Sequence, residues 1–192
     1  MGCLLAGLGA GVQTLRSEDV PVAKNAKLPF TVYDEKGGAN NHYASTGWMG
    51  NTKAVKMDDG CPTNPHSGKT CLRVEYSDPA NWAGVVWQNP ANDWGDKPGG
   101  WNLTGAKKLK FWARGDKGGE TVSFIIGVFD TGKKYPDSAS GKMNDVKLTP
   151  EWTEYSIDLD GKNLTCIKSG FEWLLAGQDS PVVFYLDDVR YE

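Results

Sequence analysis

Two histidines and four cysteines in 192 residues, with no Cys-x-x-Cys pair, leave too few donors at workable spacing for a zinc centre. No run of five or more like charges occurs, and the formal net charge is -3 with a pI near 5.5. A basic surface that tracks phosphates is therefore missing, which argues against a nucleic-acid partner. The longest apolar stretch, Cys3 to Val12, is glycine-rich and far shorter than the roughly 18 residues that a membrane-spanning helix needs. No serine nucleophile elbow with His and Asp partners is present. Gly115, Gly118 and Gly119 lie in a turn region with no helix after them, so they make no phosphate loop.

What is present is aromatic and turn-rich. Hydrophobic residues make up 39% and aromatics 11%, which excludes intrinsic disorder. Eight Trp, seven Tyr and 24 Gly point to an all-β domain with many turns and flat apolar faces for a ligand.

Residues 1–27 read as a leader-like or arm segment with a linker, and residues 28–192 as one β-domain. Nothing basic precedes Cys3, so the match to a secretory signal is incomplete. Cys3 after Gly2 has the local look of an acylated bacterial lipobox, but there the apolar run precedes the cysteine and here it follows. The same segment could instead pack on a neighbouring subunit as an arm. Cys61 and Cys71 bracket the turn-rich stretch Pro62 to Lys69, and a disulfide between them is expected to stabilise by roughly 3 kcal/mol. Such a bridge implies export to an oxidising compartment, at the cell surface or beyond it. Cys166 reads as a buried thiol, and Asn102-Leu103-Thr104 and Asn163-Leu164-Thr165 are glycosylation sequons.

Short β-branched and aromatic segments alternate with turn clusters, the pattern of a sandwich rather than of βαβ units. Strands are expected near 28–33, 53–57, 70–77, 82–88, 107–114, 120–129, 143–148, 152–159, 166–174 and 182–191. In Lys108 to Arg114, Leu109, Phe111 and Ala113 form a core face, while Lys110, Trp112 and Arg114 form an outer one. Along Trp152 to Leu159, Tyr155, Ile157 and Leu159 point inward. Val182 to Tyr191 is apolar on both faces, as a central strand should be, yet it holds Asp187 and Asp188. One of these carboxylates must face the interior, where a charge needs a partner. A buried Arg such as Arg73 is one candidate, and a cation is another.

The order of short phrases along the chain carries a family likeness. It includes Phe30-Thr-Val-Tyr-Asp-Glu, Ser45-Thr-Gly-Trp-Met-Gly, Trp82-Ala-Gly-Val-Val-Trp-Gln, Asn92-Asp-Trp-Gly, Phe111-Trp-Ala-Arg-Gly, Leu148-Thr-Pro-Glu-Trp and Phe184-Tyr-Leu-Asp-Asp-Val. From about residue 28 to 192 the chain resembles the calcium-containing jelly-roll carbohydrate-binding modules with a galactose-binding-like fold. The resemblance implies a jelly-roll sandwich of two antiparallel sheets with its first and last strands side by side. It also implies a structural calcium held by Asp187 or Asp188, with Asp34 or Glu35 supplying another oxygen and backbone carbonyls the rest, in keeping with the six to eight oxygens such an ion takes.

Sugar recognition needs planar apolar surfaces and polar groups for hydroxyls in a preformed groove. Trp87, Trp94, Trp112 and Tyr43 are the stacking candidates, with Arg114, Gln88, Asn92 and Asp130 as hydrogen-bonding partners. Trp82 and Trp87 differ by five positions, so at most one of them lies on the open face. Trp48, Trp101, Trp152 and Trp173 read as core or edge residues, and His66 as a turn residue.

The expected function is a non-catalytic secreted module that binds a polysaccharide, a β-linked glucan or a plant or algal polymer. The alternative is an extracellular fibre or surface subunit that self-assembles through its N-terminal arm. A weak glycoside hydrolase or lyase is the third reading. Glu154 and Asp158 share one strand face at a spacing that glycosidases use, but that face reads as a solvated edge.

Overall fold

The computed structural model describes residues 23–192. The leader-like residues before them, with Cys3, lie outside the described residues. Thirteen strands follow in order: β1 (Lys24–Asn25), β2 (Phe30–Tyr33), β3 (Ala44–Gly50), β4 (Val55–Cys61), β5 (Cys71–Tyr76), β6 (Trp82–Gln88), β7 (Trp101–Asn102), β8 (Lys108–Gly115), β9 (Thr121–Ile126), β10 (Gly141–Lys147), β11 (Thr153–Asp158), β12 (Ser169–Ala176) and β13 (Val182–Tyr191). Every segment expected to be a strand overlaps one. The larger omission is β3, whose Ala-Ser-Thr-Gly-Trp-Met-Gly is poor in strand formers; it is an edge strand held by β6, with a bulge between Ser45 and Gly47.

The strands make a jelly-roll β-sandwich. One sheet runs β10-β9-β12-β6-β3, and the other β11-β8-β13-β5-β4 with β2 added to β13. β2 and β13 are antiparallel neighbours, with Tyr33 opposite Val189 and Phe30 opposite Tyr191, so the first long strand does lie beside the last. β1 pairs in parallel with β7, and Ala23 is buried, so residues 23–27 pack with the domain.

The alternation of side chains decides what fills the space between sheets. Ala83, Val85 and Trp87 of β6, Phe171, Trp173 and Leu175 of β12, and Val122, Phe124 and Ile126 of β9 meet Leu109, Phe111, Val182, Phe184 and Leu186 from the facing sheet. Ring centroids lie 4.5 Å apart for Phe111 and Phe124, and 5.6 Å apart for Trp173 and Phe184. Each such side chain contributes roughly 1.5–3 kcal/mol by burial. The central strand β13 is covered on both faces, as its composition requires, and its outer face brings Tyr185 and Asp187 under the loop that joins β4 to β5.

That loop is where the sequence expectations need correction. Cys61 and Cys71 sit opposite each other at the ends of β4 and β5, but both are free thiols. The Cys71 Sγ faces the carbonyls of Cys61 at 3.6 Å and Thr63 at 3.9 Å instead. Burial pushes the Cys71 thiol up to about 12. The loop is held by the Asp187 carboxylate, which accepts the backbone N–H groups of His66 at 2.9 Å and Ser67 at 3.2 Å.

Candidate functional site

The outer faces of the two sheets differ in what covers them. On the six-stranded sheet, Trp112 does point outward, but the His66 imidazole stacks on its indole with centroids 3.8 Å apart and planes 14° apart. His66 Nδ1 lies 2.8 Å from Asp188 Oδ2, and the Ser67 hydroxyl donates to Asp188 Oδ1. Arg114 is buried between Tyr185, 3.6 Å from its ring centroid, and Trp152 at 5.2 Å. Trp112 and Arg114 are therefore part of a closed aromatic and cationic layer rather than a sugar platform. His66, read from sequence as a turn residue, is what closes it.

The outer face of the five-stranded sheet is open. A cleft of about 500 Å³ crosses β3, β6, β12, β9 and β10, lined by Met49, Trp82, Ser123, Asp145, Glu172 and Leu174 among others. The pairing registers place these side chains in rows. Met49, Gly84, Leu174 and Ser123 are successive partners across four strands, and Gly47, Val86, Glu172 and Ile125 form the next row. Gly84 leaves a trough in the floor because it has no side chain, and a Cβ there would stand 3.0 Å from the Trp173 carbonyl. Trp82 forms the wall at one end, with 48% of its surface exposed.

Local backbone holds Trp82 in place. Gly50 adopts a left-handed φ of +70°, and a Cβ on it would meet the Trp82 carbonyl and its ring. The turn after it donates the Asn51 N–H to the Trp82 carbonyl at 2.8 Å. Gln178 closes the same end by exchanging two hydrogen bonds with the Thr121 backbone. Asp145, in the β10 bulge, has a φ of +50° and donates its N–H to Ser123 Oγ at 2.9 Å. The Glu172 carboxyl is buried in the floor, and burial raises it to about 7.

The remaining sequence candidates divide between core and rim. Trp87 is a core residue, 3% exposed and 5.5 Å from the Phe171 ring. The five-residue offset is sound, and Trp82 is its open member. Tyr43 is buried as well, with its hydroxyl donating to the Ile167 carbonyl at 2.9 Å. Trp87 and Tyr43 border a recess of about 210 Å³ at the sandwich edge, but rings so buried present no face on which a sugar could stack. Gln88 is buried and accepts from the Thr46 hydroxyl, whose oxygen in turn accepts the Asn92 N–H. Trp94 is half-buried, 6.0 Å from the Phe129 ring. Its loop is anchored by a buried ion pair, Lys168 Nζ to Asp93 Oδ2 at 2.6 Å. Asn92 and Asp130 are exposed, and Asp130 accepts the Gly132 N–H within its own turn. Trp94, Asn92 and Asp130 thus gather on loops at the end of the sheet opposite Trp82.

The carboxylates expected to hold calcium are engaged by hydrogen-bond donors of the protein. Asp187 accepts three backbone N–H groups, from His66, Ser67 and Asp188, and burial raises it to about 6. Asp188 faces His66 and Ser67, Asp34 accepts the Glu35 N–H, and Glu35 accepts the Lys69 N–H. A calcium site needs oxygen lone pairs turned to one centre. These are turned to N–H and O–H donors, and among the described residues no group of three or more His, Cys, Asp or Glu could hold a metal ion. Arg73 does not meet the aspartates either, since it pairs with Glu75 at 3.0 Å. Glu154 is tied to Lys110 at 3.4 Å on the sheet's outer edge.

Residues 20–192 match the family model described as carbohydrate binding domain 30. Among solved structures, the family 30 carbohydrate-binding module of a cellulosomal cellulase of Clostridium thermocellum is similar over 86% of this chain and 98% of its own, at 13% identity and a TM-score of 0.59. A second family 30 module is similar over 86% and 99% of the two chains, at 14% identity and the same TM-score of 0.59. The glycoside hydrolase domain of Endo-D from Streptococcus pneumoniae R6 is similar over 76% of this chain but 21% of its own, at 15% identity and a TM-score of 0.51. At these identities the structural likeness concerns the fold. No curated protein matches the chain.

Proposed function

The chain belongs to the carbohydrate binding domain 30 family and is a polysaccharide-binding module, and we propose that it holds a neutral β-linked glucan in the cleft on its five-stranded sheet. The observation that carries this reading is Trp82, an indole left about half exposed on the wall of an apolar trough. A planar ring of this kind stacks on the C–H face of a sugar, and Met49, Leu174 and Ala176 extend the apolar surface beside it. Ser123, Asp145, Thr121 and Gln178 supply polar groups for hydroxyls. Among the described residues no Lys or Arg lines the cleft, which favours an uncharged polymer over a uronic-acid or sulfated one. The cellulase named for a similar module supports a β-glucan.

The module is non-catalytic and works outside the cell, where such polymers are found. Affinity gel electrophoresis of the parent and of Trp82→Ala against soluble neutral and acidic polysaccharides tests the reading. Retardation of the parent by a neutral β-glucan, lost in the variant, supports it. Equal retardation of both proteins, or retardation by acidic polymers alone, removes it.

A further inference from the structure

The lining of the cleft contains two carboxylates in different circumstances. Asp145 is engaged with Ser123, through its N–H at 2.9 Å and its Oδ1 at 3.5 Å. Glu172 has no hydrogen-bond donor from the protein among the described residues. It lies on β12, the middle strand of the five, with Val86 and Ile125 as its register partners, and only 3% of its surface is exposed. A Cβ on Gly84 would stand 3.4 Å from Glu172 Oε1, so the carboxyl leans along the trough that the glycine leaves open.

The surroundings of Glu172 are almost free of charge. β6 presents Gly84, Val86 and Gln88, and β3 presents Gly47 and Met49. β9 presents Thr121, Ser123 and Ile125, and among the described residues β10 brings three ionisable groups to this face, Lys142 opposite Ile125, Asp145 at the bulge and Lys147 opposite Thr121. Burial alone raises the carboxyl to about 7, with no contribution from any of these.

We propose that Glu172 is a proton-gated hydrogen-bonding group of the cleft, which donates to an oxygen of a neutral sugar in its acid form and opposes binding as a carboxylate. This rests on the cleft being the sugar site. A sugar lying in the trough displaces the last water from Glu172, and the single edge that the trough exposes leaves no room for the several donors a buried charge requires. The complex therefore favours the protonated carboxyl more than the free protein does. By linkage, affinity is full below neutrality and falls as the pH rises through seven.

Isothermal titration of the parent, Glu172→Gln and Asp145→Asn with a soluble mixed-linkage β-glucan and with hydroxyethyl cellulose, at pH 5.5 and 8.5, tests this. Circular dichroism at both pH values verifies that each protein is folded. For the parent, Kd is expected to rise about tenfold between the two pH values, the effect of one further unit of pKa shift on binding. In Glu172→Gln that ratio should fall to about one, while Asp145→Asn keeps it. A parent that binds equally at both pH values overturns the proposal and leaves the cleft reading standing. So does a slope that persists in Glu172→Gln or disappears in Asp145→Asn. Absence of binding by the parent at pH 5.5 overturns the cleft reading, and the role of Glu172 with it.

Discussion

Trp82 and Trp87 lie on one strand and face opposite ways, the first 48% exposed on the wall of the cleft and the second 3% exposed against Phe171. An offset of five residues on a regular strand imposes this opposition. Only the facing sheet, whose Tyr33 lies 6.5 Å from the Trp87 ring, decides which ring is inside.

The two tryptophans should respond oppositely to truncation. Trp82→Ala should melt within a few degrees of the parent and lose retention by neutral β-glucan, because it removes a half-exposed ring from a binding surface. Trp87→Ala should cost about 3–5 kcal/mol of folding stability by opening a cavity in the core. Urea denaturation beside affinity electrophoresis separates the two effects. The assignment fails if Trp87→Ala is the variant that stays stable and loses binding.

His66→Ala should uncover Trp112 without touching the cleft. It removes a ring stacked at 3.8 Å and one partner of Asp188, an expected loss of about 1–2 kcal/mol. Acrylamide quenching of tryptophan fluorescence should increase while polysaccharide retention stays as in the parent. Loss of retention in this folded variant would return the second sheet face to consideration as a binding surface.

Folding stability should decline from acid to mildly alkaline pH. Burial raises Glu172 from 4.5 to about 7 and Asp187 from 3.8 to about 6. For an acid whose folded pKa is raised, the folded state holds its proton longer than the unfolded chain does. Stability from that group is full below the unfolded pKa and is lost as pH climbs to the folded one. For Glu172 the loss is on the order of 3 kcal/mol between about pH 4.5 and 7. The melting temperature of Glu172→Gln, compared with the parent at pH 5 and pH 8, should be relatively higher at pH 8. An equal difference at both values would mean that Glu172 does not titrate in this window.

Chelation provides a separate test of the loop. Because the oxygens of Asp187 and Asp188 are committed to the N–H and O–H donors of His66 and Ser67, EDTA should leave the melting curve unchanged. A fall in melting temperature with EDTA, restored by calcium, would show that these carboxylates rearrange around the ion.

The sandwich was legible in the sequence because period-2 alternation and turn residues are local signals. Leu109, Phe111 and Ala113 against Lys110, Trp112 and Arg114 identify the two faces of β8 without any partner strand. β13 declared itself central through its apolar residues on both faces, and the burial of one aspartate followed from that. β3 escaped notice because its glycines and small polar residues carry little strand preference of their own.

The cleft proposed to bind sugar was less legible, because Met49, Gly84, Leu174 and Ser123 come from four strands and meet only through their pairing registers. Alternation along a strand is a property of its own residues, so the sequence by itself determined the sandwich and the opposition of Trp82 to Trp87. Which face stays open depends on what the rest of the chain lays over it. His66 covers Trp112 on one sheet, while the absence of a side chain at Gly84 leaves the trough on the other, so the tertiary structure alone decided which face carries an open cleft.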